Sequence, residues 1–510
     1  MPCLIGIDSG LTVTKAVVFD ETGAPLAVAR RRVPQLIPQA RHVERDMAGL
    51  WLATAEAIRE AVSRSARPAS DIAAVAATAH GDGIYLLDGK KQPLGHGILS
   101  LDSRAGEEVA AWHADGAADA ALRRTGQMPH ASAPAALLAW MRSREPERFA
   151  AIGHVLACKD WLRFCLTGTL GTDLTEGSTS FTDVATQAYA KDVLSIYGLE
   201  GLEHALPPMS RPDDVVGGVS AQAAELTGLI AGTPVVAGLH DVTASALGIG
   251  GYGVGTVAIV AGTYSINETV STAPRVDARW FCRNGLAIGE WNNMAISPAS
   301  AANYDWFLDR LVGTERDAAE ANGQSIHALM TPEIEAAFQR PSTLLFHPYL
   351  YGSPHGPVAS GGFLGLRGWH ERGDMLRAVI EGIAFNHRVH IDALKDGFDL
   401  CEARLTGGIS RNPLFAQLFA DVLAMPVRVT ETEEAAAWGA ALCAGAGVGL
   451  YESPRHDPRD LSRSGRTYRP ETARRDEMNR RYGLHCEIAE KLAAVWPSIE
   501  ALAPTGDRYP

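Results

Sequence analysis

Hydrophobic and polar residues alternate at the start of the chain, and this pattern predicts a short antiparallel sheet. Residues 4–6 and 14–19 fit the two strands of a hairpin, and residues 25–28 fit a third strand. Residues 47–65 then place apolar side chains at helical spacing, and residues 72–77 form a short apolar run typical of a buried strand. Strands and helices in this order predict an α/β fold.

The opening pattern returns in the second half of the chain. Residues 255–272 again fit a strand, a Gly-Thr turn and a strand, and the glycine-dense segment 248–255 leads into them. Two hairpins, each opening its own half, predict two related domains with a cleft between them and a hinge at the glycine segment. We therefore predict an N-terminal domain over 1–248, a C-terminal domain over 249–465 and a helical appendage over 466–510.

Apolar spacing elsewhere predicts further elements. Helices are expected over 133–143, 155–167 and 374–387, and a charged amphipathic helix is expected over 467–499. An apolar strand in the segment TPVVAGLHDVTASAL delivers one acid, Asp241, into a following helix. In phosphoryl transfer, a carboxylate placed in this way can accept the proton of an attacking hydroxyl.

Composition limits the class of protein. A chain of 510 residues, with 46% hydrophobic and 21% charged residues, exceeds one core and fits an ordinary α/β enzyme. The net charge of −13, without a basic block, argues against nucleic acid as a ligand. Seven cysteines without a C-x-x-C pair predict reduced thiols. No run approaches about 18 apolar residues, so we predict a cytoplasmic protein without a membrane segment.

The turn between the first two predicted strands carries groups that suit a phosphate. Gly10 permits the turn, and the hydroxyls of Thr12 and Thr14 can face phosphate oxygens beside the backbone amides. Lys15 adds a cation to this nucleotide-binding set. Asp8, at the end of the first strand, can hold a metal ion through water. Taken alone, the segment also fits a plain hairpin with a polar turn.

Two later turns repeat this chemistry. Gly262 and Thr263 form the matching turn in the second half. Gly407 and Gly408 lie between a strand and a helix, where the backbone can approach a ligand and the helix N-terminus favours an anion. Asn412 follows them, and its side chain also fits a simple helix cap. Capping and nucleotide binding are compatible, so both interpretations stay open.

A fourth group of residues suits a polyhydroxylated ligand. His80 and Asp82 lie in the sequence HGDG, and Asp102 and Arg104 follow in LDSR. Carboxylate, imidazole and guanidinium groups on glycine-flanked loops form a hydrogen-bonding set for neighbouring hydroxyls. The alternative is a surface turn. A metal site would need further His or Cys ligands at suitable spacing, and the sequence offers none there.

Several segments together resemble the FGGY family of carbohydrate kinases. The sequence GGFLGL at 361–366, followed after seven residues by DMLRAVIE at 374–381, is similar to the second signature of that family. HVERD at 42–46 and EAAAWGAA at 434–441 are similar to further family segments. The resemblance covers roughly residues 4–450. It implies two actin-like, ribonuclease-H-like domains that close on ATP and a sugar.

The resemblance also implies roles for individual residues. Asp241 matches the catalytic base, and Asp8 matches the magnesium-associated acid. The other matches fall on the two phosphate loops and the adenosine site, at Gly10, Thr12, Gly262, Thr263, Gly408 and Asn412. ATP and Mg²⁺ are the implied cofactors, and a small sugar is the implied partner. A homodimer is one possible assembly.

The choice of sugar is less strongly indicated than the kinase class. HGDG at 80–83 replaces the QMHG of bacterial D-xylulose kinases, and Leu11 stands where many members carry Thr. The arrangement is closer to the L-xylulose/3-keto-L-gulonate kinases and the erythritol kinases, while Asp102 and Arg104 match the xylulose-kinase pattern. We expect a ketopentose of the xylulose type as substrate, with erythritol or another polyol as the alternative. An actin-like conformational ATPase and a silent sugar sensor are rivals, against which Asp241 and the FGGY-type signature argue.

Overall fold

The computed structural model describes residues 1–356, 358–432, 434–461 and 465–502. Strands and helices alternate along most of this length. In chain order the strands are β1 (Cys3–Ser9), β2 (Val13–Asp20), β3 (Pro25–Arg32), β4 (Glu44–Arg45), β5 (Ile72–Ala79), β6 (Tyr85–Asp88), β7 (Gly97–Ile98), β8 (Ile152–Leu156), β9 (Thr172–Asp173), β10 (Met209–Ser210), β11 (Val215–Gly218), β12 (Pro234–Val236), β13 (Leu239–His240), β14 (Thr256–Ala261), β15 (Ser265–Ser271), β16 (Phe281–Asn284), β17 (Trp291–Ser297), β18 (Leu345–His347), β19 (Gly362–Leu364), β20 (Glu402–Thr406), β21 (Val427–Val429) and β22 (Arg466–Tyr468).

The helices lie mainly between these strands, and 3-10 turns occur at Ala69–Asp71, Leu202–Ala205 and Gly408–Arg411. In chain order the helices are α1 (Met47–Arg64), α2 (Gly106–Asp115), α3 (Ala117–Thr125), α4 (Pro134–Arg144), α5 (Pro146–Ala150), α6 (Cys158–Thr167), α7 (Leu174–Gly177), α8 (Lys191–Ile196), α9 (Ala221–Thr227), α10 (Asp241–Gly248), α11 (Ala301–Leu311), α12 (Gly313–Ala321), α13 (Ile326–Phe338), α14 (Arg372–Lys395), α15 (Pro413–Leu423), α16 (Ala435–Gly447), α17 (Thr472–Leu492) and α18 (Trp496–Glu500). Within the described ranges, no helix is both long and apolar enough to cross a bilayer.

Two large sheets repeat one topology. In the first, the order is β11-β12-β5-β1-β2-β3, with β13 also paired to β5. In the second, the order is β16-β17-β15-β14-β20-β21-β22. Each begins with a hairpin, β1–β2 or β14–β15, and continues through a parallel partner, β5 or β20. The predicted recurrence of the opening hairpin is therefore confirmed, and the fold has two domains.

The two sheets meet through two short helices. Helix α10 of the first half and helix α16 of the second share one apolar core with both sheets, in which Trp438 is fully buried. The helices cross at backbone contact, because a Cβ added to Gly439 would lie 1.9 Å from the Ala244 carbonyl oxygen. A Cβ on Gly248 would likewise lie 2.0 Å from the Ala435 carbonyl oxygen. Glycine is therefore required at this crossing.

A second interdomain contact forms around strands β16 and β17. The Cys282 amide donates to the Gly126 carbonyl, and the Asn284 amide donates to Ser178 Oγ. The Trp291 indole donates to the Val184 carbonyl at 2.7 Å. These bonds join the second sheet to the segment between β5 and β11, which we call the insertion. The insertion and this edge of the second sheet therefore pack as one unit.

Two predicted elements need correction. The expected helix over 155–167 is a strand followed by a helix, because β8 ends at Leu156 and α6 begins at Cys158. The appendage over 466–510 is not purely helical, because β22 pairs with β21 and closes the edge of the second sheet. Helix α17 packs on the same core through Met478. The boundaries at 248 and 465 stay predictions, and residues 503–510 lie outside the described part.

Candidate active site

The parallel strands of the first sheet bring two predicted acids together. Asp8 pairs with Thr78 near the end of β1, and His240, which precedes Asp241, pairs with Ala79 on β5. Strands β1 and β13 therefore end on either side of β5 at one edge of the sheet. Burial raises the pKa of Asp241 to about 7, and the negative charge of Asp8 adds to this effect. A carboxyl group with this pKa is suited to general-base work near neutral pH.

Lys15 holds Asp8 against the second domain. The ammonium group lies 3.2 Å from Asp8 Oδ2 and 3.1 Å from Glu434 Oε2, just before helix α16. Arg30 also pairs with Glu434. Burial raises the pKa of Asp8, and the positive charge of Lys15 partly offsets that rise. The two predicted residues thus lie together at the base of the cleft between the sheets.

The predicted first phosphate loop is held from behind by a buried arginine. Arg45 donates to the Gly10 carbonyl at 3.2 Å and also to the Leu11 carbonyl, and its side chain is buried. Thr12 is exposed at the tip of the loop, where its hydroxyl is open to a ligand. Thr14 differs, because its buried hydroxyl bonds Thr54 Oγ1 at 3.0 Å. The predicted contact of Thr14 with phosphate is therefore replaced by a contact in the core.

This difference between the two threonines is testable. Thr12→Val is expected to raise the KM for ATP roughly 10-fold or more, since hydrogen bonds to charged groups contribute about 1.5–3 kcal/mol. Thr14→Val should lower the free energy of unfolding by about 1 kcal/mol and leave that KM unchanged. Steady-state kinetics and urea unfolding of both variants measure these effects. A raised KM for ATP in Thr14→Val would contradict the placement.

The second half contributes a cavity of about 760 Å³ that suits a nucleotide. It brings together four predicted residues, Gly262, Thr263, Gly408 and Asn412. Gly407 lies behind them, with φ +104° and a hypothetical Cβ only 2.3 Å from the Ala261 carbonyl oxygen. Only glycine therefore lets the turn approach the end of β14 so closely.

Asn412 both caps a helix and lines that cavity. Its Oδ1 accepts from the Leu414 amide at 2.9 Å, and its Nδ2 donates to Thr331 Oγ1 at 3.2 Å. The capping interpretation is confirmed, and the two interpretations are compatible, as the sequence suggested. A further residue that the sequence did not indicate is His387, whose ring lies 3.1 Å from both Ser265 Oγ and Ser300 Oγ. It ties Ser265, at the start of β15 beside the predicted second phosphate loop, to helix α14.

Asp82 lies in a set of polar groups contributed by distant segments. It has φ +56°, and its carboxylate accepts from Arg283 at 3.0 Å and lies 3.6 Å from His130 Nε2. Burial would raise the pKa of Asp82, but Arg283 and the neighbouring histidines outweigh it and leave that pKa below its ordinary value. Asp82 is thus an ionised acceptor, suited to hydroxyl groups.

His80 is more enclosed than the sequence suggested. Its amide donates to the Ser9 carbonyl at 3.0 Å, and its Nε2 lies 3.2 Å from the Tyr85 hydroxyl. Burial lowers the pKa of His80 to about 3, so the ring is neutral at physiological pH. Gly81 leaves room for the neighbouring ring of His240, since a Cβ there would lie 1.8 Å from His240 Nε2. The HGDG segment therefore packs directly against the residue before Asp241.

Asp102 and Arg104 form a closed network instead of an open pair. Arg104 Nε donates to both Asp102 oxygens, at 2.9 and 3.0 Å, and its Nη2 donates to Glu44 Oε1 at 2.7 Å. Asp102 also accepts from the Val43 amide at 2.7 Å, and both side chains are almost fully buried. Their predicted contact with the sugar is therefore corrected to a structural role, which holds the segment that carries Arg45.

The structure also adds residues that the sequence did not indicate. Gln127, His130, His240 and Arg283 come from three separate segments and lie around Asp82 and Asp241. His240 adjoins the predicted base and was within reach of sequence reasoning. Arg283 was not, because it lies on the second sheet and meets its partners only through the domain contact.

Comparisons with known proteins agree with this architecture. Residues 3–248 match the N-terminal domain of the FGGY family of carbohydrate kinases, and residues 257–448 match its C-terminal domain. The chain therefore belongs to the FGGY family of carbohydrate kinases. It is an ATP-dependent sugar kinase, as its sequence predicted.

Individual relatives cover almost the whole chain. The L-xylulose/3-keto-L-gulonate kinase of Escherichia coli K12 is 33% identical over 501 residues, covering 95% of this chain and 98% of that protein. The erythritol kinase of Brucella abortus is 29% identical over 512 residues, covering 97% of each. A ligand-bound xylulose kinase from Lactobacillus acidophilus has a TM-score of 0.88 at 23% identity, covering 98% of this chain and all of that one. At this identity, the similarity to the xylulose kinase structure shows only that the two proteins share a fold.

Proposed function

We propose that this kinase transfers the γ-phosphoryl group of ATP to a hydroxyl of a ketopentose of the xylulose type. The observation that carries the proposal is the raised pKa of Asp241 beside an ionised hydroxyl acceptor, Asp82. The names of the L-xylulose kinase relatives favour the same sugar class. Erythritol or another polyol is the second candidate, favoured by the more distant erythritol kinase.

In the proposed reaction, Asp241 takes the proton from the attacking hydroxyl. The hydroxyl oxygen forms a bond to the γ-phosphorus, and the bond from that phosphorus to the β–γ bridging oxygen breaks, releasing ADP. Amides of the Gly10–Thr12 and Gly262–Thr263 turns would face the phosphate oxygens, while Lys15 adds positive charge near Asp8. After transfer, Asp241 returns its proton to water as the product leaves.

Mg²⁺ is part of the proposal, and Asp8 is the residue that would hold it. Within the described ranges, no group of three or more His, Cys, Asp or Glu side chains forms a metal site. Mg²⁺ commonly uses one or two carboxylates together with water and nucleotide phosphates, so a single acid such as Asp8 would suffice. Bound there, the ion would neutralise charge on the phosphates.

The test is a coupled ADP-release assay on a panel of L-xylulose, D-xylulose, 3-keto-L-gulonate and erythritol. We expect the highest kcat/KM with a xylulose, and no turnover after the divalent metal is chelated. A higher kcat/KM with erythritol would favour the polyol alternative. Absence of turnover with every neutral sugar would contradict the proposal for the sugar class.

The cellular location, the ligand classes and the oligomeric state stay predictions. A cytoplasmic location agrees with seven free cysteines, of which four are fully enclosed. The net charge of −13, without a block of basic residues in the sequence, argues against nucleic acid as a ligand. A homodimer is tested by light scattering coupled to gel filtration.

A further inference from the structure

Arg283 reaches from the second sheet to the sugar side of the cleft. It lies on β16, and its side chain is 2% exposed. Its Nε donates to Gln127 Oε1 at 2.6 Å, and its Nη2 donates to Asp82 Oδ1 at 3.0 Å. Its Nη1 lies 3.3 Å from His240 Nε2. All three partners belong to the first half of the chain, so this one guanidinium joins the two domains beside Asp241.

The contact with Arg283 assigns the tautomer of His240. An arginine side chain stays charged and only donates, so His240 Nε2 must accept and the ring proton lies on Nδ1. Nδ1 lies 3.3 Å from Asp241 Oδ1 and therefore donates to that oxygen. The Val242 amide lies 2.8 Å from the same oxygen, against 3.4 Å from Nδ1, so it also donates to Asp241. Two donors thus fix the carboxylate.

The charge state of His240 agrees with this assignment. Burial lowers the pKa of His240 to about 3, and the positive charge of Arg283 adds to the effect. The ring is therefore neutral at physiological pH and carries a single N–H proton, on either Nδ1 or Nε2. Arg283 also pairs with Asp82, a non-glycine residue held at φ +56°. The same guanidinium thus supports both the residue beside the base and the hydroxyl-binding loop.

We propose that Arg283 is a positioning residue that the second domain supplies to the base. Through His240 it orients Asp241, and through Asp82 it holds the hydroxyl-binding loop. This inference rests on the proposed role of Asp241. Because Arg283 and its partners belong to different domains, the base is fully positioned through the domain contact around β16 and β17.

The kinetic test compares three variants. Arg283→Met keeps the length of the side chain and removes its donors, and it is expected to lower kcat roughly 10- to 100-fold. Arg283→Lys should recover part of that loss, and the KM for ATP should stay within about 2-fold in both. Arg279→Met is the matched control, because Arg279 pairs with Asp277 and Asp396 on the protein surface. Its kinetics should equal those of the unaltered enzyme.

A double-variant cycle separates positioning from general support of the fold. If Arg283 acts through His240, combining Arg283→Met with His240→Gln should lower kcat little more than the stronger single change. If the fold-losses in kcat of the two single variants instead multiplied in the double variant, Arg283 would not act through His240. A kcat in Arg283→Met within about 2-fold of the unaltered enzyme would overturn the whole inference.

A spectroscopic measurement tests the inference without substrate and without any substitution of Arg283. In enzyme with ¹⁵N-labelled histidine, the ring signals of His240, assigned by their loss in His240→Gln, should show a proton on Nδ1. A proton on Nε2 would overturn the inference whatever the sugar is. Conversely, an Asp241→Asn variant that keeps its turnover would remove the proposed base while leaving the tautomer as assigned. Failure of the inference and failure of the proposed function are therefore distinguishable.

Discussion

Asp241→Asn is expected to lower kcat by about 10²–10⁴-fold, the usual contribution of a general base. The amide keeps the shape of the side chain and can still accept from the Val242 amide, but it cannot take a proton. The KM for ATP should therefore change little. Stopped-flow or coupled-assay kinetics with the best sugar of the panel measure kcat, and calorimetry measures sugar binding. A variant with more than about a tenth of the original kcat would remove Asp241 from the role of base.

The pH dependence follows from the same residue. With a pKa of about 7, Asp241 is ionised above neutral pH, so kcat/KM should rise as pH increases toward 7 and level off above it. In the unfolded chain the carboxyl loses its proton near pH 4. Between these values the folded state binds more protons, so the ionisation of Asp241 lowers stability as pH rises through that window. At pH 8, Asp241→Asn should unfold at the same temperature as the unaltered enzyme or at a higher one.

A helix-cap variant is the control for this experiment. Ser220 caps α9 by accepting from the Ala223 amide at 3.1 Å, and Ser220→Ala should cost about 1 kcal/mol of stability without a change in kcat. The opposite behaviour is expected for Asp241→Asn, which should lower turnover without lowering stability. If Asp241→Asn instead behaved like Ser220→Ala, its role would be limited to the start of α10.

The fold followed from local signals in the sequence. Alternating strands and Gly-Thr turns are short-range features, so both hairpins, β1–β2 and β14–β15, were predictable, and so was helix α1. The prediction of one helix over 155–167 was wrong because a short apolar run does not distinguish a buried strand from a helix. Here Ala157 is extended and separates the two elements.

The site was predictable only where the chain itself brings residues together. Asp8 lies near the end of β1 and Asp241 directly follows β13. Both strands flank β5, so the meeting of the two acids follows from parallel pairing. The prediction for Thr14 was wrong because the sequence pattern of the turn does not show that the Thr14 hydroxyl contacts Thr54 on helix α1. Arg283 was missed because its partners lie on another domain. Contacts of this kind depend on tertiary packing, which no local pattern encodes.

The crossing of α10 and α16 gives the other large expected effect. Gly439→Ala should lower kcat about 100-fold, although Gly439 touches neither ligand site, because displacement of catalytic groups by about 1 Å has effects of this size. The added methyl would lie 1.9 Å from the Ala244 carbonyl oxygen, so the two helices must separate. Helix α10 begins at Asp241, and the shift therefore reaches the base. Kinetics at saturating sugar and ATP measure this loss.

The same substitution also tests stability, and the chain offers a matched control. Overpacking at a tight contact costs about 1–3 kcal/mol, which urea unfolding of Gly439→Ala should detect. Gly483, inside helix α17, has no atom within 4 Å of a hypothetical Cβ. Gly483→Ala should therefore raise stability by about 0.5–1 kcal/mol through helix propensity and leave kcat unchanged. If Gly439→Ala also kept its kcat, close contact between these helices would not be what positions Asp241, and the base would depend on Arg283 and His240 alone.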